Sequence, residues 1–334
     1  MKASDERYTN FALVREMLET VDVVRDVTVP EELAFQSDLL MLSGEGSSRI
    51  FPAKRLRTQA LREGSPLQIV TEGATQALEY DLEGYHVFIA SNSGKTAEGV
   101  RLLRHLRERN GSPARITALA ANGGTPIPSE ADEAHILSCG KEEAVAATKS
   151  VVEQGLFYDI LYRRSSGLPA PDTAALASAL QGALTEAIPG DIVEAAVKAP
   201  LIYFGGRNDG VTEELTLKTN EITRKKSDFL EGTYAVHGVE EVMREDELVV
   251  LVDPFPEQEE KFETVLSKGV GLKVIAIADR ETRFPTIRIP RVEEGAAYVQ
   301  LLAGWNLLVE IGLAAGINLD KPERARKVGN EFVG

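Results

Sequence analysis

Two segments of the chain gather small hydroxyl side chains around glycines: GEGSSRIFPAKRL, residues 44–56, and SNSGKTAEGVRLL, residues 91–103. Each follows a short apolar run and leads into a helical pattern. A helix N-terminus presents unpaired amides and the positive end of its dipole, and Ser or Thr there adds hydroxyl donors. The combination is an anion cradle suited to a phosphate. Plain N-capping would explain Ser47, Ser91 and Ser93 singly. Two such loops on neighbouring strand ends of an open α/β sheet favour a shared phosphate site, because ligands there sit outside the carboxyl ends of strands. Two better-known motifs are excluded. The GKT at 94–96 lacks the first glycine of a P-loop, since Ile89 stands in its place, and GEGSSR has Arg49 where a dinucleotide fingerprint needs its third glycine. Neither ATP nor NAD is indicated.

The elements that must position these loops read as a series of short β-rich runs separated by helical stretches: LLMLS (39–43), LQIV (67–70), HVFIAS (86–91), ITALAA (116–121) and HILSC (135–139). Strands alternating with helices predict a parallel sheet. The series restarts with LIYFGG (201–206), FLEGTYAV (229–236), LVVLVD (248–253), KVIAIA (273–278) and TIRIP (286–290). In the first half Gly46 is followed by a second strand-end turn at Ser91, 45 residues on. In the second half Gly206 is followed by Asp253, 47 residues on. The matched spacing supports duplication. The expected fold class is α/β, two tandem doubly wound parallel-sheet domains, spanning 1–185 with an N-terminal helix and 186–334 with a C-terminal tail. The Ala-rich stretch 172–199 carries the connection, with PGD at 189–191 as punctuation. Residues 295–316 read as a buried core helix ended by Gly316, broken by Gln300, Asn306 and Glu310, and not as a membrane span.

Bulk properties agree with a paired architecture. At 334 residues the chain exceeds the size at which one core stops growing. Its 43% hydrophobic and 27% charged residues are globular values. A net charge of −15 opposes nucleic acid, whose affinity comes from basic surfaces, but leaves a small anion possible through local geometry. The start MKASDERYTNF has no apolar h-region, so no membrane association and a cytoplasmic location are expected. Cys139 stands alone, which excludes an internal disulfide and a cysteine-based zinc site; its plain reading is a small core residue. No His/Asp/Glu cluster has ligand spacing, so no metal is expected, and no cofactor is expected either.

At the two hydroxyl loops the sequence resembles the SIS (sugar isomerase) family, in particular the isomerase half of glucosamine-6-phosphate synthase and its stand-alone relatives, over nearly the whole chain. Members pair a Gly-Thr/Ser-Ser loop with a Ser-X-Ser-Gly-X-Thr loop, matched here by Gly46-Ser47-Ser48 and Ser91-Asn92-Ser93-Gly94-Lys95-Thr96. The resemblance implies that Ser47, Ser91, Asn92, Ser93 and Thr96 belong to the phosphate site, with Ser48 near the sugar. A further family segment is matched by Val145-Ala146-Ala147-Thr148-Lys149, which implies a sugar contact through the Val145 backbone.

Moving a carbonyl between C1 and C2 of a sugar needs a base that takes a proton from one carbon and returns it to the next, through an enediol or enolamine. Ring opening needs a second proton-exchanging group, for which imidazole is suited. Taken alone, Glu221 in LKTNEITRKK is a helix-surface glutamate, His237 in TYAVHGVEEV a structural histidine and Lys327 a solvated tail residue. The resemblance gives them roles. The family's Leu-Lys-X-X-Glu-Ile segment is matched by Leu217 to Ile222 and implies proton shuttling by Glu221; its His-Gly is matched by His237-Gly238, sixteen residues on. Its Asp-X-Pro followed by a lysine is matched by Asp320-Lys321-Pro322 and Lys327, so the tail is expected to cover the sugar. In relatives the histidine reaches the neighbouring subunit's site, which implies a homodimer with sites shared across the interface. No glutaminase-like segment precedes residue 40. The expected reaction is therefore conversion of glucosamine 6-phosphate to fructose 6-phosphate plus ammonia, or plain aldose-ketose isomerisation. The competing reading is a sugar-phosphate-binding regulatory protein that uses the same loops without turnover. A transcription regulator of that kind would need a basic helix-turn-helix ahead of the first strand.

Overall fold

The computed structural model describes residues 1–108, 111–324 and 331–332. By contacts the chain divides into two units, one of Asp22–Thr173 with Glu331 and Phe332, the other of Met1–Val21 with Ala174–Arg324. The division therefore falls about a dozen residues before the expected boundary near 186, and the first 21 residues group with the second sheet. Side-chain contacts account for that grouping. The Asp320 carboxylate accepts the Ala12 and Leu13 amides at 2.7 and 2.9 Å, and Glu310 accepts the Tyr8 hydroxyl at 2.6 Å.

Among the described residues the first unit holds a five-stranded parallel sheet of β1 (Leu39–Gly44), β2 (Gln68–Val70), β3 (His86–Ala90), β4 (Arg115–Ala120) and β5 (Glu133–Ile136), in the order β2-β1-β3-β4-β5. All positions of β3 are buried, as expected where helices cover both faces of a parallel sheet. Strand alternation sends Leu40, Leu42, Phe88 and Ala90 into one cluster with Ala53 and Leu56 of the helix Ile50–Arg62 and Phe157, Tyr158 and Leu161 of the helix Lys149–Ser165. Met41, Val87 and Ile89 face the other way, onto Val100, Leu103 and Leu106 of the helix Ala97–Glu108. The sheet is thus wound on both sides.

The second unit repeats this order. Its strands are β6 (Leu201–Gly206), β7 (Lys226–Glu231), β8 (Leu248–Val252), β9 (Lys273–Ala278) and β10 (Thr286–Arg288), arranged β10-β9-β8-β6-β7. In each sheet the first strand pairs with its successor on one side and with the third strand on the other. The run expected as a strand at 229–236 is displaced: β7 begins at Lys226, and Tyr234–Val236 is a 3-10 turn. The physical reason is that β7 is an edge strand, where Lys226 and Asp228 remain in solvent while Leu230 is buried, and Gly232 at φ +59° turns the chain away.

The helix Ala296–Ala314 is the one described helix long and apolar enough to cross a membrane by length and composition, yet most of it is buried in the protein. It packs close to the helix Val211–Lys218: a Cβ on Gly304 would lie 2.3 Å from the Leu215 side chain. Gly316 at φ +70° ends it, with the Ile317 amide on the Gly312 carbonyl at 2.9 Å.

His86, 1% exposed in β3, shows how tightly the first sheet is sealed. Its Nδ1 accepts the Gln36 amide at 3.1 Å, which leaves Nε2–H to donate to Thr117 Oγ1 at 2.8 Å. Burial, with Arg115 adding to it, pushes its pKa down to about 4 from 6.5. The unfolded chain takes up a proton below 6.5 that the folded chain refuses. This contribution is therefore complete above pH 6.5, is lost as pH falls toward 4, and amounts to at most about 3 kcal/mol. Urea denaturation across this window should show that loss in the wild type and a flatter profile in His86→Gln; parallel profiles would remove His86 as the cause.

Candidate functional site

The loops after β1 and β3 lie side by side at the carboxyl edge of the first sheet. Gly44 pairs with Ala90 in register, and a Cβ at Gly44 would sit 2.8 Å from the Ala90 carbonyl oxygen, so glycine is what lets the two strand ends meet. Strand order reverses between β1 and β3, the place where an open α/β sheet leaves a crevice. Gly46–Ser48 forms a 3-10 turn before the helix Ile50–Arg62, whose N-cap position is Arg49 and lacks a side-chain cap bond. Ser47 is buried and Ser48 half-buried beside it.

The second loop is tightly folded. The hydroxyls of Ser91 and Thr96 are 2.8 Å apart, Ser91 Oγ accepts the Gly94 amide at 3.1 Å, and Ser93 Oγ accepts the Lys95 amide at 3.2 Å. Gly94 needs φ +67°, and a Cβ there would lie 2.1 Å from Thr125 Oγ1. The Asn92 Nδ2 atom is buried and has no partner among the described residues. Its donor capacity is available to an oxygen-rich ligand at this edge. On the outer side Phe332 N–H donates to the Lys95 carbonyl at 2.7 Å, Glu331 bridges Thr96, and the Arg104 guanidinium covers the Phe332 ring at 4.7 Å.

Val145 is half-buried in the segment that connects β5 to the helix Lys149–Ser165. Two buried carboxylates shape this segment. Glu142 accepts the Thr148 amide at 2.7 Å and the Ser150 hydroxyl at 2.7 Å, an anionic cap on the helix N-terminus. Glu153 accepts the Ser138 and Cys139 amides at 2.6 and 2.8 Å. Burial raises the Cys139 thiol far above its usual range, which makes it inert as a nucleophile. The hydroxyl loops and the Val145 segment therefore belong to one unit and one sheet edge.

In the second unit Glu221 sits on a π-helical turn, Thr219–Thr223, that continues the helix Val211–Lys218 and ends at Arg224 with φ +56°. Such turns recur at functional positions because they re-aim a side chain. Lys218, 0% exposed, holds Glu221 Oε2 at 2.9 Å and Glu214 Oε1 at 3.2 Å; Glu214 is 0% and Glu221 24% exposed at the side chain. Burial pushes the Lys218 ammonium down, but the facing Glu221 and Glu214 carboxylates outweigh it and raise the lysine above its ordinary value, so it stays charged. Glu221 is the member of this trio that reaches solvent. Sequence reasoning quoted Lys218 without a role and passed over Glu214. Their spacing at 214, 218 and 221 places all three on one helix face, which is the signal that could have found them.

His237 is exposed beyond the carboxyl end of β7, with Nε2 3.4 Å from Lys261 Nζ, in a shallow depression lined by Phe229, Glu231, Gly232, Thr233 and Tyr234. Glu221 precedes the amino end of the same strand. The six residues of β7, roughly 16 Å, lie between the two segments, and among the described residues no hydrogen bond or ion pair joins Glu221 and His237. Lys327 lies outside the described residues. No group of three or more His, Cys, Asp or Glu side chains able to hold a metal occurs among the described residues.

The sequence model of one family, the SIS domain, matches residues 67–164, a span that includes the Ser91–Thr96 loop and the Val145 segment. Over 270 residues the chain is 26% identical to the isomerizing glutamine–fructose-6-phosphate aminotransferase of Streptomyces coelicolor, covering 72% of this chain and 43% of that protein. The chain thus spans less than half the length of the curated relatives it matches. Among solved structures, the C-terminal domain of glucosamine-fructose-6-phosphate aminotransferase from Francisella tularensis superposes with a TM-score of 0.76 at 17% identity, covering 96% of this chain and all of that one. Glucosamine-6-phosphate deaminase from Thermotoga maritima superposes with a TM-score of 0.74 at 18% identity, covering 96% of this chain and 98% of that one. At these identities the superpositions show a shared fold.

The Lys218 trio makes a stability prediction. Lys218→Met should destabilise the protein by about 3–5 kcal/mol in chemical denaturation, because the buried Glu214 loses its facing ammonium. Glu214→Met combined with Lys218→Met should recover most of that loss. A Lys218→Met protein as stable as wild type would show that the buried pair does not hold this turn.

Proposed function

We propose that the chain is a phosphosugar isomerase that transfers a proton between C1 and C2 of an amino-sugar or sugar phosphate. The reaction to test first is glucosamine 6-phosphate plus water giving fructose 6-phosphate plus ammonia. The observation that carries this reading is Glu221, a partly exposed carboxylate fixed 2.9 Å from a fully buried ammonium. A binding protein has no need to hold a carboxylate in this way, whereas a base that must both take and return a proton does. The names of the aminotransferase relatives and of the structurally similar deaminase give the substrate class.

In the proposed sequence, Ser47, Ser91, Asn92, Ser93 and Thr96 hold the phosphate, with Ser48 and the Val145 backbone toward the sugar. His237 exchanges the proton that opens the ring. Glu221 removes the C2 proton to give an enolamine and returns it to C1, which leaves an imine at C2. Water adds to that imine and ammonia departs. Lys327 is assigned to the covering tail. Without the amine the same proton transfer through an enediol interconverts aldose and ketose.

The proposed site also calls for a two-fold assembly, and β7 supports it. With Glu221 and His237 at opposite ends of that strand, a site using both takes His237 from a second copy, and a closed two-fold dimer provides two such sites. Tyr234, 55% exposed, and Val242, 71% exposed, offer apolar surface beside His237 for that contact.

The phosphate assignment and the chemistry separate in experiment. Ser91→Ala with Thr96→Val should weaken fructose 6-phosphate binding by several kcal/mol at most, at roughly 1.5–3 kcal/mol for each hydrogen bond to a charged group, measured by titration calorimetry. Glu221→Gln should bind the ligand yet abolish both turnover and solvent deuterium incorporation at C1 or C2. A wild type that binds tightly and exchanges no such proton with any hexose or hexosamine phosphate would be a binding protein instead. For the shared site, Glu221→Gln and His237→Ala subunits mixed under exchange should form heterodimers as about half of all dimers, each with one intact site, so about a quarter of wild-type activity returns. No recovery after verified exchange would place His237 in its own subunit's pocket.

A further inference from the structure

Gln154 is completely buried, and neither its Nε2 nor its Oε1 has a hydrogen-bond partner among the described residues. Buried carboxamides are almost always bonded, so one with both ends open calls for a physical account. Its place in the fold supplies one. Gln154 lies on the helix Lys149–Ser165, three and four positions before Phe157 and Tyr158, on the face that packs against the sheet and the helix Ile50–Arg62. That helix starts where the chain returns from the carboxyl end of β5, and helical side chains lean toward their own N-terminus. The Gln154 carboxamide therefore leans toward the carboxyl edge, where the core cluster ends at Leu42 of β1 and Ala90 of β3. The same helix packs against the Gly46–Ser48 turn. Above Leu42 and Ala90 begin the two hydroxyl loops.

We propose that Gln154 is a positioning residue at the floor of the phosphosugar cradle: in the ligand-held state its carboxamide hydrogen-bonds the Gly46–Ser48 turn and fixes the Ser47 and Ser48 hydroxyls toward the ligand. The inference rests on the reading of this edge as a phosphosugar site. An amide suits the role, since it carries a donor and an acceptor and can serve both an N–H and a hydroxyl of the turn. In the resting protein its polar atoms work against stability, so replacing them with carbon of similar volume leaves the fold intact or strengthens it.

Gln154→Leu and the unbranched Gln154→Met provide the test, with thermal melting and calorimetric titration of fructose 6-phosphate and of inorganic phosphate. The expected result is a melting temperature at or above wild type together with affinity weakened about tenfold. A purely structural glutamine gives the reverse, a lower melting temperature and affinity within twofold of wild type, and overturns the proposal. In wild type labelled with 15N-glutamine, saturation with fructose 6-phosphate should shift and slow the exchange of the Gln154 side-chain amide signals. Unmoved signals overturn the proposal even where both variants fold poorly. Ser91→Ala with Thr96→Val distinguishes the two levels: if it weakens binding while the Gln154 variants do not, the cradle stands and this inference falls. A wild type that binds no phosphosugar removes both.

Discussion

A parallel sheet whose first strand lies inside it must change winding direction beside that strand, and the helices that cover it then part. In the first sheet the change falls between β1 and β3, and everything the hydroxyl loops can do depends on how closely those two strand ends approach. Register sets Gly44 against Ala90, and the space for a Cβ at Gly44 is closed by the Ala90 carbonyl at 2.8 Å. A larger residue would push β1 away from β3 and separate the Gly46–Ser48 turn from Ser91. The crevice is a property of topology, but the gathering of hydroxyls at it follows from one glycine and the loops it lets meet.

The second sheet makes the same point by contrast. Its strand order is the same, and its reversal lies between β6 and β8. There, Arg207 follows β6 and pairs with Asp253, which follows β8, at 2.6 Å; the guanidinium lies 4.4 Å over the Phe255 ring, and Asp253 adopts φ +44°. The ion pair fills the position that hydroxyls occupy in the first sheet. The buried charges of this unit lie instead at the far end of the helix after β6, where Lys218 and Glu221 stand. Two sheets of one order thus differ in the few side chains placed at strand and helix ends.

Much of this was legible because parallel strands are apolar throughout and their boundaries are punctuated. LLMLS, HVFIAS and KVIAIA each became a strand within a residue of the reading, since no other arrangement buries both faces of such runs. The edge strand β7 was misplaced because KSDFLE alternates, and the stronger apolar signal of FLEGTYAV drew the reading onward into a 3-10 turn. The hydroxyl loops were legible as spacing. Lys218 and Glu214 were not, since charges on a helix ordinarily signify a solvated face, and only burial against Ala296–Ala314 turns them inward. That His237 and Glu221 lie at opposite ends of β7 needed the strand direction, which no local pattern contains.

The buried polar groups of the two units fall into two kinds, and the difference bears on how a site of this sort works. Glu142, Glu153 and Lys218 are bonded in the resting structure, and each immobilises a segment: the connection to helix Lys149–Ser165 in the first two cases, the turn of Glu221 in the third. Such groups set geometry in advance, at a desolvation cost already offset by their partners. Gln154 and the amide nitrogen of Asn92 are unbonded, and both belong to the unit with the hydroxyl loops. Unbonded buried atoms occur in the other unit as well, Trp305 Nε1 among them, so their place in the fold has to be argued one by one. On the proposed reading of the hydroxyl-loop edge, the Asn92 and Gln154 donors are the ones that an anion held there would meet, within a frame locked by the bonded Glu142 and Glu153 carboxylates. Under that proposal, binding would gain from the protein's own unmet bonds as well as from the ligand's contacts, and a rigid frame would limit the cost of rearrangement.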